Sequence, residues 1–346
     1  MATLSSPIQI GKHDVKNRIV LPPLVVCGLH KDGHVNDDVV EHYRSFAKGG
    51  AGIVIQEATC VSENGRLAGP QLGLWSDGYI DEMRPIVDAV KPYGALLLVQ
   101  IHYASKQGEP DNIVQVGPSE YTNDDGAHRA LSTDEVRRIR DDFVAAAVRA
   151  EKAGYDGVEL HGAHGYLLCA FMNSLLNRRG DEYGELGLLN REIIQGIRAV
   201  TSKDFLVTIR VGADNPDMAT GAAHCQDLEA LGVDLLNVSS GMARTEKLGV
   251  PKEYPFSKLS WRAAEIKKLV KTPVIGVGGL HDPEDAAAYI EGGYADFAAI
   301  GRGLLVDPEW ASKVLCGEKP VKCHDCKQCV WFRKHDKCPG RKHHSK

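Results

Sequence analysis

Eight short apolar runs, separated by longer amphipathic stretches, limit what this chain can fold into more than any other feature. They are "RIVLPPL", "AGIVIQEATCV", "ALLLVQIHY", "GVELHGA", "FLVTIRVGA", "LLNVSSG", "TPVIGVGG" and "FAAIGRG". Their near-continuous apolar, β-branched character is that of parallel strands buried on both faces, not of strands with one wet side. Stretches between them, such as "DDVVEHYRSFAKGG", "NREIIQGIRAV" and "DPEDAAAYIEGG", open on Asp or Asn or close on Gly, as capped helices do. "STDE" at Ser132 to Glu135 predicts a capping box, with the acid three residues after the cap. Eight strands alternating with helices predict an α/β fold, a TIM (β/α)8 barrel.

The periodicity stops near "CGEKP", Cys316 to Pro320. The barrel is therefore placed at residues 1–317, and residues 318–346 are read as a short, basic, Cys-rich C-terminal appendage. A formal charge of -5 gives no global basic field, which argues against a nucleic-acid or membrane-surface protein. Neither a charged leader with an apolar core nor an apolar run of roughly 20 residues is present, so a soluble, cytoplasmic protein is expected. Nine cysteines, four of them crowded into the tail, point to metal or cluster chemistry there and not to a disulfide scaffold.

Active sites of such barrels lie at the C-terminal ends of the strands, so the polar residues closing each run carry the information. Here they are Gln100, His161 with His164, Arg210, and the glycines of "GVGG" and "IGRG". Singly, each is more often a loop hydrogen bond than a catalyst; together, at equivalent ends of successive strands, they form a constellation. Glycine-freed backbone N–H groups near a helix start cradle phosphate, which places a phosphorylated ligand at Gly278, Gly279, Gly301 and Arg302. In the tail, Cys323, Cys326, Cys329 and Cys338 read C-x2-C-x2-C-x8-C, the last followed by Pro339. That spacing suits a [4Fe-4S] cube; zinc is the alternative, and a basic tail with incidental thiols is a third reading.

"KNRIVLPPL", "GVELHGAHGYLL", "NRRGDEYGE", "VTIRVGA" and "IGRGLLVDPEW", in this order, resemble the Old Yellow Enzyme family of FMN-dependent ene-reductases and NADH:flavin oxidoreductases. The resemblance implies FMN, with NAD(P)H as hydride donor and an electron-poor alkene as substrate. It implies that Pro23, Leu24 and Ala58 line the flavin, that Gln100 bonds its pyrimidine ring, and that Arg210 lies near N1 and O2. The phosphate cradle then takes the FMN tail. It further implies that His161 and His164 hold the carbonyl oxygen of the alkene while Tyr166 protonates its α-carbon. Tyrosine's ordinary pKa, near 10, suits protonation of an enolate carbon. The Cys motif is similar to that of the larger 2,4-dienoyl-CoA and 2-enoate reductases, whose cluster implies [4Fe-4S] and, for this chain, an external electron-transfer protein.

The chain departs from the family pattern at Val25, where Cys or Thr is common, and in "QIHYASK", which puts Tyr103 where a histidine is usual. Tyr103 and the tail motivate a second reading, an amine N-demethylase similar to trimethylamine dehydrogenase. The basic tail motivates a third, an RNA-modifying flavoprotein similar to dihydrouridine synthase. A homo-oligomer is the expected assembly.

Overall fold

The computed structural model describes residues 1–30, 32–108, 113–123, 126–242 and 248–341. Its centre is a closed barrel of eight parallel strands: β1 (Ile19–Leu21), β2 (Ile53–Cys60), β3 (Leu96–His102), β4 (Gly157–Gly162), β5 (Leu206–Gly212), β6 (Leu236–Ser239), β7 (Val274–Val277) and β8 (Phe297–Ala299). Each falls within one of the apolar runs. Helices cover the outside, among them α1 (Asp37–Lys48), α2 (Gly78–Val90), α3 (Thr133–Ala153) and α4 (Leu188–Val200). The capping box at the start of α3 forms as expected: Glu135 N–H donates to Ser132 Oγ (3.2 Å) and Ser132 N–H to Glu135 Oε2 (2.7 Å). Among the described residues no helix is long and apolar enough to cross a membrane.

Strand alternation separates two cores. Val54, Leu97, Val99, Val158, Leu160, Val207 and Ile209 face the helices, whereas Val20, Ile53, Ile55, Leu96, Leu98, Leu206, Ile275 and Phe297 fill the barrel. An N-terminal hairpin, Ile8–Ile10 with His13–Val15, plugs the lower end by adding Ile10 and Val15 to the inner core. Burying each contributes roughly 1.5–3 kcal/mol. The apolar inner rows stop part-way up the barrel. Above Leu96 and Leu98 the same face of β3 carries Gln100 and His102; β4 carries Glu159 and His161, β5 Arg210, and β6 Asn237 and Ser239.

Two features escape a reading based on alternation. The β2–β3 register shifts between Gln56 and Thr59, a bulge that aims Ala58 into the mouth. It also turns Glu57 away, to accept from Tyr43 of α1 (3.2 Å) and to meet His30 (3.1 Å). Between β3 and α3 the chain adds a four-stranded sheet built from Lys106–Gln107, Val114–Gly117, Tyr121–Asn123 and Gly126–Ala130.

The tail packs onto the barrel. Trp331 is buried against His42 of α1, Arg341 lies 4.7 Å over its indole, and Cys338 is buried beside them. Burial, then the charges of Arg341, His335 and His30, push His42 down to about 3. Docking therefore requires a neutral imidazole. It is fully favoured above the free value near 6.5 and weakens as pH falls below it, by up to about 1.4 kcal/mol per pH unit. Limited proteolysis at Arg333 and Lys334 should accelerate between pH 6.5 and 5, relative to a His42→Phe variant digested in the same buffers. Equal cleavage of the two proteins across that range would remove His42 as the cause.

Candidate active site

The C-terminal mouth of the barrel encloses a cavity of about 420 Å³, within the range of small-molecule sites. Each wall has a local origin. The loop after β1 brings Pro23 and Leu24, the bulge brings Ala58, and the top of β3 brings Gln100. The segment after β4 is a tight turn in which His164 (φ 58°) and Gly165 (φ 77°) take left-handed conformations. The φ of 77° at residue 165 is one that side chains rarely adopt, and a Cβ there would also push against the Met242 side chain at 2.5 Å, so glycine is favoured. This turn folds His164 and Tyr166 back over His161. Ring centroids are 5.1 Å apart for His161–His164 and 4.9 Å for His161–Tyr166. His164 Nε2 is 2.8 Å from Ser239 Oγ on β6.

Beneath these rings lies a polar layer. Register pairs Glu159 with Gln100, and His161 with Arg210. Glu159 accepts from Gln100 Nε2 (2.7 Å) and Asn237 Nδ2 (2.9 Å), so the Gln100 carbonyl oxygen is the atom left for the cavity. Arg210 is buried, and its Nε has no hydrogen-bond partner among the described residues. Burial lowers the Arg210 pKa, opposed by the charge of Glu159. Burial pushes Glu159 up to about 7, opposed by Arg210 and by the two amides. Burial, followed by neighbouring imidazoles and Arg210, holds His161 well below its usual range. Burial and then Arg210 lower His164 to about 3, although that ring opens on the cavity, where water moderates the effect. The mouth thus presents neutral imidazoles above one buried cation.

The Glu159 shift has a measurable consequence. Its folded pKa lies above the ordinary 4.5, so the native state holds more protons than the unfolded state between about pH 4.5 and 7. Stability is lost as pH rises through that window, by about 3 kcal/mol at most. Glu159→Gln should remove this contribution, so that in denaturant titrations the stability of the variant relative to the wild type rises with pH across the window, and parallel profiles would contradict it.

Pro23, Leu24, Ala58, Gln100, His161, His164, Tyr166, Arg210 and Arg302 all border this one cavity. Gly278 (φ 113°) and Gly279 (φ 72°) lie outside its lining, in the turn after β7, and Gly301 precedes Arg302 after β8. Arg302 pairs with Asp325 of the tail (2.6 Å), which His281 also contacts (3.0 Å). Cys323, Cys326, Cys329 and Cys338 line a second, small cavity that shares Arg302, Cys329 and Trp331 with the first. All four are free thiols. Yet among the described residues no three His, Cys, Asp or Glu side chains stand together as a ready metal site.

Sequence reasoning missed His102, Gln71, Trp331 and Phe332. His102 had a signal: it continues the inward row Leu96, Leu98, Gln100, whereas Tyr103 belongs to the outer core and packs on Gly65. The two tail aromatics join the cavity wall only through tertiary docking, which no local pattern announces.

The closed parallel barrel and the polar constellation at its strand ends define a TIM barrel with a small-molecule site at its C-terminal mouth. Residues 3–319 match the model of the NADH:flavin oxidoreductase / NADH oxidase family, and the chain belongs to that family. It is similar to an NADH oxidase of Thermoanaerobacter brockii, 37% identical over 345 residues, covering 93% of this chain and 52% of the relative. It also matches an NADPH dehydrogenase of Clostridium acetobutylicum, 32% identical, covering 85% of this chain and 89% of the relative. Among solved structures, an old yellow enzyme homologue from Zymomonas mobilis superposes with a TM-score of 0.76 at 25% identity, covering 96% of each chain. The chain spans about half the length of the Thermoanaerobacter relative.

FMN is the group this family implies, and the residues present fit it. A buried guanidinium with an unpaired N–H and an amide whose carbonyl faces the cavity suit the polar edge of an isoalloxazine. The apolar Pro23–Leu24 and Ala58 walls suit its faces, and Arg302 in the same lining offers a cation to the phosphate.

Proposed function

We propose that this chain is an FMN-dependent reductase that moves hydride from NAD(P)H to an activated C=C bond of the enone or enoate type. The observation that carries the reading is one cavity lined both by the buried Arg210 with Gln100 and by the cluster of His161, His164 and Tyr166. Bound FMN supplies the site that accepts and returns hydride. Arg210 holds the negative charge that collects at the pyrimidine edge on reduction. Gln100 offers its carbonyl oxygen as an acceptor, and Gly278, Gly279, Gly301 and Arg302 hold the phosphate.

On the substrate side, His161 accepts the Ala163 N–H at Nδ1 (3.4 Å), which leaves Nε2–H as its donor. His164 becomes a donor at Nδ1 when the Ser239 hydroxyl donates to its Nε2. The two N–H groups together stabilise the oxygen of a developing enolate. Tyr166 delivers the proton to the α-carbon.

For the tail, the reading is a [4Fe-4S] cluster on Cys323, Cys326, Cys329 and Cys338, with zinc the alternative. Its support is that all four thiols border one cavity adjoining the flavin wall. An external electron-transfer protein is a partner such a cluster would serve.

One anaerobic preparation tests both. The protein should carry the yellow absorbance of oxidised flavin, bleach with NADPH or NADH, and recover on addition of cyclohexenone; iron with sulfide should accompany it. Protein that stays colourless after reconstitution with FMN contradicts the reductase reading, and zinc without iron contradicts the cluster.

A further inference from the structure

His102 lies in the wall of the central cavity with its ring centroid 4.5 Å from that of Tyr166 and 5.1 Å from that of His161. Its protonation pattern follows from a chain of bonds starting at Gln71, itself buried. Leu67 N–H donates to Gln71 Oε1 (2.6 Å), which identifies Nε2 as the amide nitrogen. That nitrogen donates one hydrogen to the Ala58 carbonyl (2.8 Å) and the other to His102 Nδ1 (3.0 Å). An imidazole that accepts at Nδ1 carries its proton on Nε2. The ring is wholly buried and is pushed by that burial down to about 3, so it is neutral. His102 Nε2 has no hydrogen-bond partner among the described residues. A buried, unpaired N–H beside a ligand cavity is a donor waiting for an acceptor on the ligand.

A ketone oxygen does not supply that acceptor. It has two lone pairs, and His161 and His164 take both in the reaction proposed above. The third donor, adjoining His161 and Tyr166, needs a second oxygen on the same activating group. Resting on the reductase reading, we propose that His102 is a further specificity-determining residue: its Nε2–H selects alkenes whose activating group carries two acceptor oxygens, as nitro and carboxyl groups do.

The test compares nitrocyclohexene, whose activating group carries two acceptor oxygens, with cyclohexenone, whose activating group carries one, using wild-type holoenzyme and the variants His102→Leu and His102→Gln. In His102→Leu, kcat/KM for the nitroalkene relative to the ketone should fall roughly tenfold, the worth of one hydrogen bond to a buried group. His102→Gln keeps an N–H donor and should recover most of the ratio. The Kd for FMN, measured by flavin fluorescence on the apoprotein, should stay at the wild-type value. An unchanged ratio in a variant that still reduces cyclohexenone overturns the inference alone. So does a parallel loss of both substrates together with FMN affinity, which would make His102 a flavin contact. Wild-type enzyme that binds FMN and reduces neither alkene overturns the reductase reading, and this inference with it.

Discussion

Arg210→Met lowers the rate at which NAD(P)H bleaches the bound flavin by about 10²–10³, the range observed when one preorganised donor to a developing anion is removed. The expected cause is loss of the full positive charge that the His161–Arg210 register sets against β4 in the polar layer. Folding should survive the change. Stranding a buried carboxylate by removing a cation near it can cost roughly 3–5 kcal/mol, on the order of a whole domain's reserve. Here Glu159 is already pushed up to about 7, so it takes up a proton at little cost and stays bonded to Gln100 and Asn237. Stopped-flow bleaching and a thermal melt on the same sample separate the two effects. A variant that melts normally and bleaches at the wild-type rate would remove Arg210 from the chemistry.

Tyr166→Phe should act on the other half of the cycle. Loss of a positioned general acid costs about 10²–10⁴ in the step that needs its proton. Reoxidation of the reduced enzyme by cyclohexenone should slow by that factor, while bleaching by NAD(P)H continues at the wild-type rate. The packing effect is small, since phenylalanine keeps the ring that stacks edge-on against His102 and His161. Equal slowing of both half-reactions would mean that Tyr166 shapes the cavity without donating a proton.

Much of this site was legible in the sequence because a barrel turns strand parity into position. The row Leu96, Leu98, Gln100 runs from the apolar floor to the polar layer, and the matching rows of β4 and β5 end in His161 and Arg210. Gly165 marks the turn that folds Tyr166 back over His161, since its left-handed backbone is one that glycine adopts freely. Illegible parts depend on contacts between segments far apart in the chain. The bulge that rotates Ala58 inward and Glu57 outward is set by Tyr43 and His30 from other elements. The donor role of His102 is fixed by Gln71, on a loop after β2. Trp331 becomes part of the cavity wall only because His42 and Arg341 clasp it, and a basic, aperiodic stretch gives no warning of that. The resemblance also drew attention to Tyr103 as the altered position, when parity singles out its neighbour.

Crystals of the FMN-loaded protein test the central claim most directly. The density should place the isoalloxazine in the barrel mouth with its N1–C2=O edge against Arg210 and the Gln100 carbonyl, and His161, His164 and Tyr166 over the opposite face. A ring bound elsewhere, or one turned so that Arg210 meets its dimethylbenzene end, would contradict the account.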